Sequence, residues 1–274
     1  GYGQEGHPDY LGRASYDFIA QGFAGLMHIN GFPEPEPPVR MAPSMGDFIS
    51  ALFCLWSSLA GYISAQRTGE GQAVDVAMYE VVHRLLGGTM MAYFETGLVR
   101  TRGGNRATAF QPYDVYKASD GWVIIAAIGN VFNRVCQVIG LDTDEEKWRK
   151  AHVEIESIDG IEFDALLRGW VEGHTVDEVV EAMNEARVAC GPIMTSRDIA
   201  ENPHYQSRQV HMEWEDLQLG RKVMGTGVVP KFSGTPGKIW RGSVPAGYDN
   251  DNVFKGLLGI ESDEIEGLKQ KGVI

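Results

Sequence analysis

The run Phe48–Ile63, FISALFCLWSSLAGYI, constrains the chain most, because nearly every position in it is apolar or small. That pattern predicts a helix buried on most of its faces, and such a helix needs apolar neighbours all around it. The chain can supply them. Its 274 residues suffice for one large domain or two modest ones. With 43% hydrophobic and 22% charged residues it lies far from the composition of chains that stay disordered. Glycine is in surplus, 34 of 274 residues, about 12% against an average near 7%. No collagen period accompanies it, so the surplus implies tight turns and close backbone approaches.

The elements around the apolar run follow from periodicity and punctuation. Ala14–Met27 has helical spacing, with Ser15 placed to cap it. Gly31–Pro43 holds five prolines and reads as an extended surface loop. Arg67–Gly71 reads as a turn, Ala73–Ala77 as a short strand, and Met78 to Glu95 as a helix, which together would be βαβ-like. The polar, glycine-rich stretch from Gly97 to Asn105 marks a boundary. Beyond it, Tyr113–Lys117 and Trp122–Ala127 flank a turn and predict a hairpin. Thr175 and Glu178 form a capping box ahead of Val176, Val179, Val180 and Met183. A second hairpin is expected around Leu219–Gly220, then a Gly/Pro-punctuated connector from Pro230 to Pro245. Helices over 249–258 and 263–271 close the chain, with Gly272 at the C-cap. The segments so defined are 1–97, 98–208 and 209–274, the last expected to return to the first.

The formal charge of −13 argues against a nucleic-acid partner, which needs a basic surface to displace counterions. Cys54, Cys136 and Cys190 are too few and too widely spaced for a disulfide framework or a zinc site, and all three read as buried core thiols. A reducing cytoplasm is the expected compartment. No stretch is expected to reach the roughly 18 uncharged apolar residues of a membrane span, so no membrane partner is expected. The first methionine is Met27, and the opening GYGQEG reads as mid-fold, which suggests a fragment or a processed chain.

Several chemistries lack their signatures. GYGQEG satisfies GxGxxG, but His7-Pro8 follows instead of a helix, so a glycine turn beside a pocket fits better than a dinucleotide site. The histidines make no HxxxH or HExxH pair, and no metal site is expected. There is no GxSxG elbow and no phosphate loop. The carboxylate that stands out is Asp47, opening the apolar helix. Its spacing favours an N-cap, and the same geometry also suits a nucleophile kept ionised by the helix N-terminus in surroundings that exclude water. Asp17, after Tyr16, is a second helix-start carboxylate. Arg13 and Arg40 are candidate anion contacts or solvated charges. Tyr93 and Phe94, with Trp56, Trp122 and Trp240, could form an aromatic box for a quaternary ammonium or could serve in packing.

Taken in order, these residues resemble the class III CoA-transferases, the formyl-CoA transferase-like family that includes the alpha-methylacyl-CoA racemases. The markers are GYGQEG, Tyr16-Asp17 with Gln21, Gly46-Asp47, and above all the stretch Arg67-Thr68-Gly69-x-Gly71-Gln72-x-Val74-Asp75-Val76-Ala77-Met78-x-Glu80. Gly104-Asn105, the 113–121 hairpin and Pro230-Lys231-Phe232-x-x-Thr235-Pro236-Gly237 continue the likeness. Within the family, AMYEVVHRLL at 77–86, MMAYF at 90–94 and PGKIWRG at 236–242 resemble the L-carnitine CoA-transferases.

The resemblance implies an α/β fold with a Rossmann-like large domain, its N-terminal half missing here, a smaller α+β domain, and two subunits interlocked as a homodimer. It implies Asp47 as the catalytic nucleophile, acyl-CoA and a small carboxylic acid as substrates, and no cofactor beyond the CoA of the substrate. Gly3, Gln4, Tyr16, Asp17, Gly103 and Gly104 are the expected pocket residues, with backbone N–H groups of Gly3-Gln4 and Gly103-Gly104 as oxyanion donors. The racemases use a histidine where this chain has Tyr16. A phenol, ordinarily titrating near ~10, suits that task poorly, which favours transfer. A non-catalytic dimerisation scaffold is the third reading.

Overall fold

The computed structural model describes residues 1–274. They fall into two compact units, Gly1–Ile193 and Met194–Ile274, described here separately.

The first unit contains α1 (Asp17–Phe23), α2 (Leu26–Ile29), α3 (Met45–Thr68), α4 (Met78–Arg84) and α5 (Thr89–Thr96). It continues with β1 (Tyr113–Lys117), β2 (Trp122–Ala126), α6 (Val131–Val138), α7 (Glu146–Ala151), α8 (Ile158–Glu172), α9 (Val176–Glu185) and β3 (Ala189–Pro192). The hairpin forms as its turn signal predicts, and β3 adds to β2, giving an antiparallel sheet ordered β1-β2-β3. In β2 the strand period puts Val123 and Ile125 on one face, both fully buried. That face joins Phe132 and Val135 of α6, Phe163, Leu167 and Val171 of α8, and Val179 and Met183 of α9 in one core. Each such side chain contributes roughly 1.5–3 kcal/mol of burial. The capping box of α9 forms as read, with the Thr175 hydroxyl accepting from the Glu178 N–H and the Glu178 carboxylate from the Thr175 N–H.

The helical part of this unit departs from the sequence reading in four places. The helix expected over 14–27 is two, broken at Gly25, which sits in the left-handed region at φ 88° with α2 starting after it. Ser15 does not cap; the N-cap is Tyr16 and its side chain makes no capping bond. The stretch 73–77 is extended but pairs with nothing, and both sheets of the chain are purely antiparallel, so the βαβ reading does not hold. An alternating pattern becomes a strand only where a neighbour supplies the ladder. The helix expected to run to Glu95 breaks at Leu85–Gly88 into α4 and α5, with Gly87 at φ 59°. The architecture is a mixed α/β fold.

The largest difference lies in α3. It is longer than read, 24 residues, and only Gly46 in it is buried. Phe48, Leu52, Leu55, Trp56, Leu59, Tyr62 and Ile63 are all exposed, so the expectation of a helix buried on most faces is not met within this chain. Cys54 is exposed with them, whereas Cys136 is buried and Cys190 partly so. By length and composition α3 is also long and apolar enough to cross a membrane, with a mean hydropathy of 1.6 over 18 residues, correcting the expectation that no stretch reaches that length. Alanines, serines and two glycines accompany its large residues, a composition that core helices share.

The second unit holds α10 (Ser196–Glu201), α11 (Pro203–Ser207), the expected hairpin as β4 (His211–Asp216) and β5 (Arg221–Thr226), a π-helical segment (Asp251–Leu257) and α12 (Ser262–Gln270). The connector from Pro230 to Pro245 carries no helix or strand, as expected. The Gly272 N–H donates to the Lys269 carbonyl with φ 65°, ending α12 one residue past its C-cap.

Candidate active site

Asp47 lies in the first turn of α3, which begins at Met45 behind the N-cap Ser44. The capping reading is therefore displaced: Asp47 is two residues inside the helix, exposed, and its carboxylate accepts no hydrogen bond from the chain. The carboxylate that serves the helix start comes from elsewhere. The Gly46 N–H donates to Oδ1 of Asp17 over 2.7 Å, across 29 residues of sequence. Asp17, at 6% exposure, is itself in the first turn of α1, so one buried anion sits at the positive ends of two helices. Glycine at 46 makes the approach possible, since a Cβ there would stand 2.9 Å from Asp17 Oδ1 and 3.3 Å from Val82 Cγ2.

Gln21, one turn along α1 and fully buried, ties Asp17 to the proline-rich loop. Its Nε2 donates to both Asp17 oxygens at 2.9 Å and to the Met41 carbonyl at 3.0 Å, while its Oε1 accepts from the Met41 N–H at 2.8 Å. The other end of that loop is held by Arg102, whose Nε donates to the Phe32 carbonyl and whose NH2 donates to the Glu36 carbonyl. The Gly104 N–H donates to the Gly31 carbonyl at 2.9 Å. The segment read from sequence as a surface loop is thus an anchored approach to Asp47. α1 contacts both α3 and α4, and Ala24, Leu26, Val82 and Leu86 form a buried apolar cluster between the α1–α2 junction and α4.

The remaining candidates fall in three places. Gly3 and Gln4 lie against the segment entering α4, where the Gln4 N–H donates to Asp75 Oδ2 at 2.7 Å and Gly3 takes φ 94°. Tyr2 secures this opening in an aromatic cluster with Tyr10, Phe23 and Tyr79 at centroid distances of 5.0–6.0 Å. Tyr16 is 77% exposed at the start of α1. Gly103 and Gly104 sit by the Gly31–Phe32 end of the loop, with the Phe32 ring 3.2 Å from where a Cβ of residue 104 would be. The N–H groups of Gln4 and Gly104 are thus engaged within the chain, and either would have to exchange its partner to serve an oxyanion.

Within the first unit, the residues named for an aromatic box are not gathered into one. Tyr93 and Phe94 meet edge to face at 5.8 Å, Trp56 pairs with Phe53 on α3, and Trp122 lies under Lys117. Trp240, in the second unit, lies under Arg241. Arg13 and Arg40 rest over Tyr10 and Phe18. Tyr93 instead lines an apolar cleft of about 300 Å³ with Leu86, Met90, Leu98 and Val99. Among the thiols, burial pushes Cys136 up to about 12 and Cys190 to about 11, which suits neither to nucleophilic work. Arg102 and the capping role of Asp17 escaped the sequence reading; their partners lie 70 and 29 residues away, and no local pattern marks them.

The chain as a whole has relatives of known family. Residues 1–250 match the model of CoA-transferase family III, and the chain belongs to that family. It is 35% identical to the bile acid CoA-transferase BaiK of Clostridium scindens, covering 100% of this chain and 63% of that protein. It is 34% identical to the succinyl-CoA–D-citramalate CoA-transferase of Chloroflexus aurantiacus, covering 100% and 68%. The chain thus spans about two thirds of the length of these curated relatives. Among solved structures it superposes on a CAIB/BAIF family protein from Brucella suis with a TM-score of 0.77 at 25% identity, over 94% of this chain and 66% of that one. Rv3272 of Mycobacterium tuberculosis shares the fold, with a TM-score of 0.69 at 20% identity over 86% and 61%.

Proposed function

We propose that the protein moves CoA from an acyl-CoA to a free carboxylic acid through covalent intermediates on Asp47. One observation carries the reading: in a chain of this family, the Asp47 carboxylate at the start of α3 is exposed and accepts no hydrogen bond, while Asp17 holds the Gly46 amide beside it. An Asp47 oxygen attacks the thioester carbonyl, the C–S bond breaks, and CoA leaves as thiolate with a mixed anhydride behind it. The thiolate then attacks the Asp47 carbonyl and expels the first acid, giving an aspartyl-CoA thioester. The incoming carboxylate attacks that thioester and releases the thiolate, which attacks the new acyl carbonyl and frees Asp47. No proton is needed at any step, and the group-transfer energy survives provided water is excluded.

Segment 1–97 would carry the nucleophile, Asp17 and the loop that holds it, with Gly3, Gln4, Tyr16, Gly103 and Gly104 bordering the acyl-CoA. The two curated relatives are named for different acids, so the acceptor is best sought in a panel holding carnitine, crotonobetaine and gamma-butyrobetaine beside a bile acid and citramalate. A homodimer in the cytoplasm completes the proposal. The test is to mix the protein with each acyl-CoA, quench with hydroxylamine and search peptides for a hydroxamate at Asp47. Its appearance, and its loss in Asp47→Asn, is the expected result. Solvent deuterium at the alpha carbon with no hydroxamate would replace transfer by racemisation.

A further inference from the structure

We infer that Asp17 and Gln21 are positioning residues that set the reactive carboxylate of Asp47 in place, an inference that rests on the transferase reading above. Asp47 makes no side-chain bond of its own, so its placement comes entirely from the backbone that carries it. That backbone reaches α3 from a loop without regular structure, Asn30 to Ser44, and is caught twice by the same buried pair. Gln21 closes a two-way bond with the Met41 main chain, and Asp17 takes the amide of Gly46, the residue immediately before Asp47.

Both anchors issue from one turn of α1, are joined by Gln21 Nε2 to the two Asp17 oxygens, and are shielded from water. A hydrogen bond from a backbone N–H to an ionised carboxylate is roughly twice as strong as a neutral one, so the catch at Gly46 is the firmer of the two. The pair also has a chemical consequence. Were Asp47 to serve the helix start itself, its lone pairs would be turned to the amides and withdrawn from attack. Asp47 stands at the third helical position, where it caps nothing, and Asp17 serves the start of the helix instead. The size of the close approach shows how tightly the site is built, because even the methyl of an alanine at 46 would meet Asp17 Oδ1 at 2.9 Å. A displacement of about 1 Å at a reacting group can cost about 100-fold in rate.

The experiment compares Asp17→Ala, Asp17→Asn and Gln21→Ala with the parent in the intact protein, reading three quantities. These are the single-turnover rate of acyl-CoA consumption, the affinity for CoA by calorimetry, and amide exchange at Gly46. Asp17→Ala should lower the single-turnover rate by about 10- to 100-fold, leave CoA affinity within about twofold and deprotect Gly46. Asp17→Asn keeps an acceptor for the Gly46 N–H but sets a donor against Gln21, so its rate should fall between the parent and Asp17→Ala. If Asp17→Ala does not fold, Asp17→Asn and Gln21→Ala carry the comparison, each with reduced rate at unchanged CoA affinity. A folded Asp17→Ala protein with parental rate, or a rate loss matched by an equal loss of CoA binding in all three variants, would overturn the inference. Failure of the transferase reading shows separately, as an Asp47→Asn protein that keeps its activity while Gly46 exchange still responds to Asp17.

Discussion

Arg102 reaches back 70 residues to the Phe32 carbonyl, its Nε 3.0 Å from the oxygen, while its side chain stays 6% exposed. The second bond, from NH2 to the Glu36 carbonyl at 3.1 Å, makes the guanidinium a bridge across the loop, and Glu34 lies 3.7 Å from the same nitrogen. A planar group with donors fixed in a fork can hold two carbonyls at once. Arg102→Ala would leave both without their partner, at a cost of about 2 kcal/mol. We expect that loss in denaturant melts, with new protease cleavage between residues 31 and 43. Arg102→Lys should recover little of it, since one ammonium does not reproduce the fork.

Gly3 occupies φ 94°, a conformation that side chains other than glycine adopt at a cost, and a Cβ there would lie 3.4 Å from Asp75 Oδ2. Gly3→Val should therefore turn the opening segment and break the Gln4–Asp75 bond. The expected outcome is a kcat lowered by about 10-fold, or about 1.4 kcal/mol, with far-ultraviolet circular dichroism unchanged. A parental rate would remove this segment from the proposed mechanism.

The three thiols should separate cleanly under alkylation at pH 8. Cys54 is exposed on α3, whereas burial raises Cys136 to about 12 and Cys190 to about 11. Peptide mapping after brief iodoacetamide treatment should find label at Cys54, with Cys136 reached only once the protein unfolds. Label at Cys136 in native buffer would contradict the packing of α6 in the core.

In the second unit, the hydroxyl of Ser243 and then the N–H of Leu219 donate to the carboxylate of Asp216 and hold its pKa below the ordinary 3.8. The folded state thus favours the ionised form. The contribution is complete above the unfolded value near 4 and disappears as pH falls through the lowered one. Thermal melts of the parent and Asp216→Asn should differ at pH 5 and converge towards pH 2. A gap that widened on acidification would reverse the sign and refute the assignment.

What could be read from residues alone was local. The 113–126 hairpin, the Thr175 capping box and the hairpin around Gly220 each depend on neighbours a few positions apart, and all three form. What could not be read depended on distant partners. Val74 and Val76 alternate like strand residues yet have no adjacent strand, and the apolar run of α3 reveals its content but not which surface covers it. The same division holds at the site. Asp47 stands out by its place before an apolar run, while the residue that holds the amide before it, Asp17, is presented by sequence only as another helix-start acid.

The exposed large residues of α3 also determine how this 274-residue chain must be handled. Sulfate is excluded from apolar surface and strengthens its burial, so salting-out should begin at low ammonium sulfate and hydrophobic-interaction resins should retain the chain strongly. Light scattering at rising protein concentration would register the same face as self-association. A mild detergent that wets Leu52, Trp56 and Leu59 should reverse it, which makes buffer choice for every assay above a matter of that one helix.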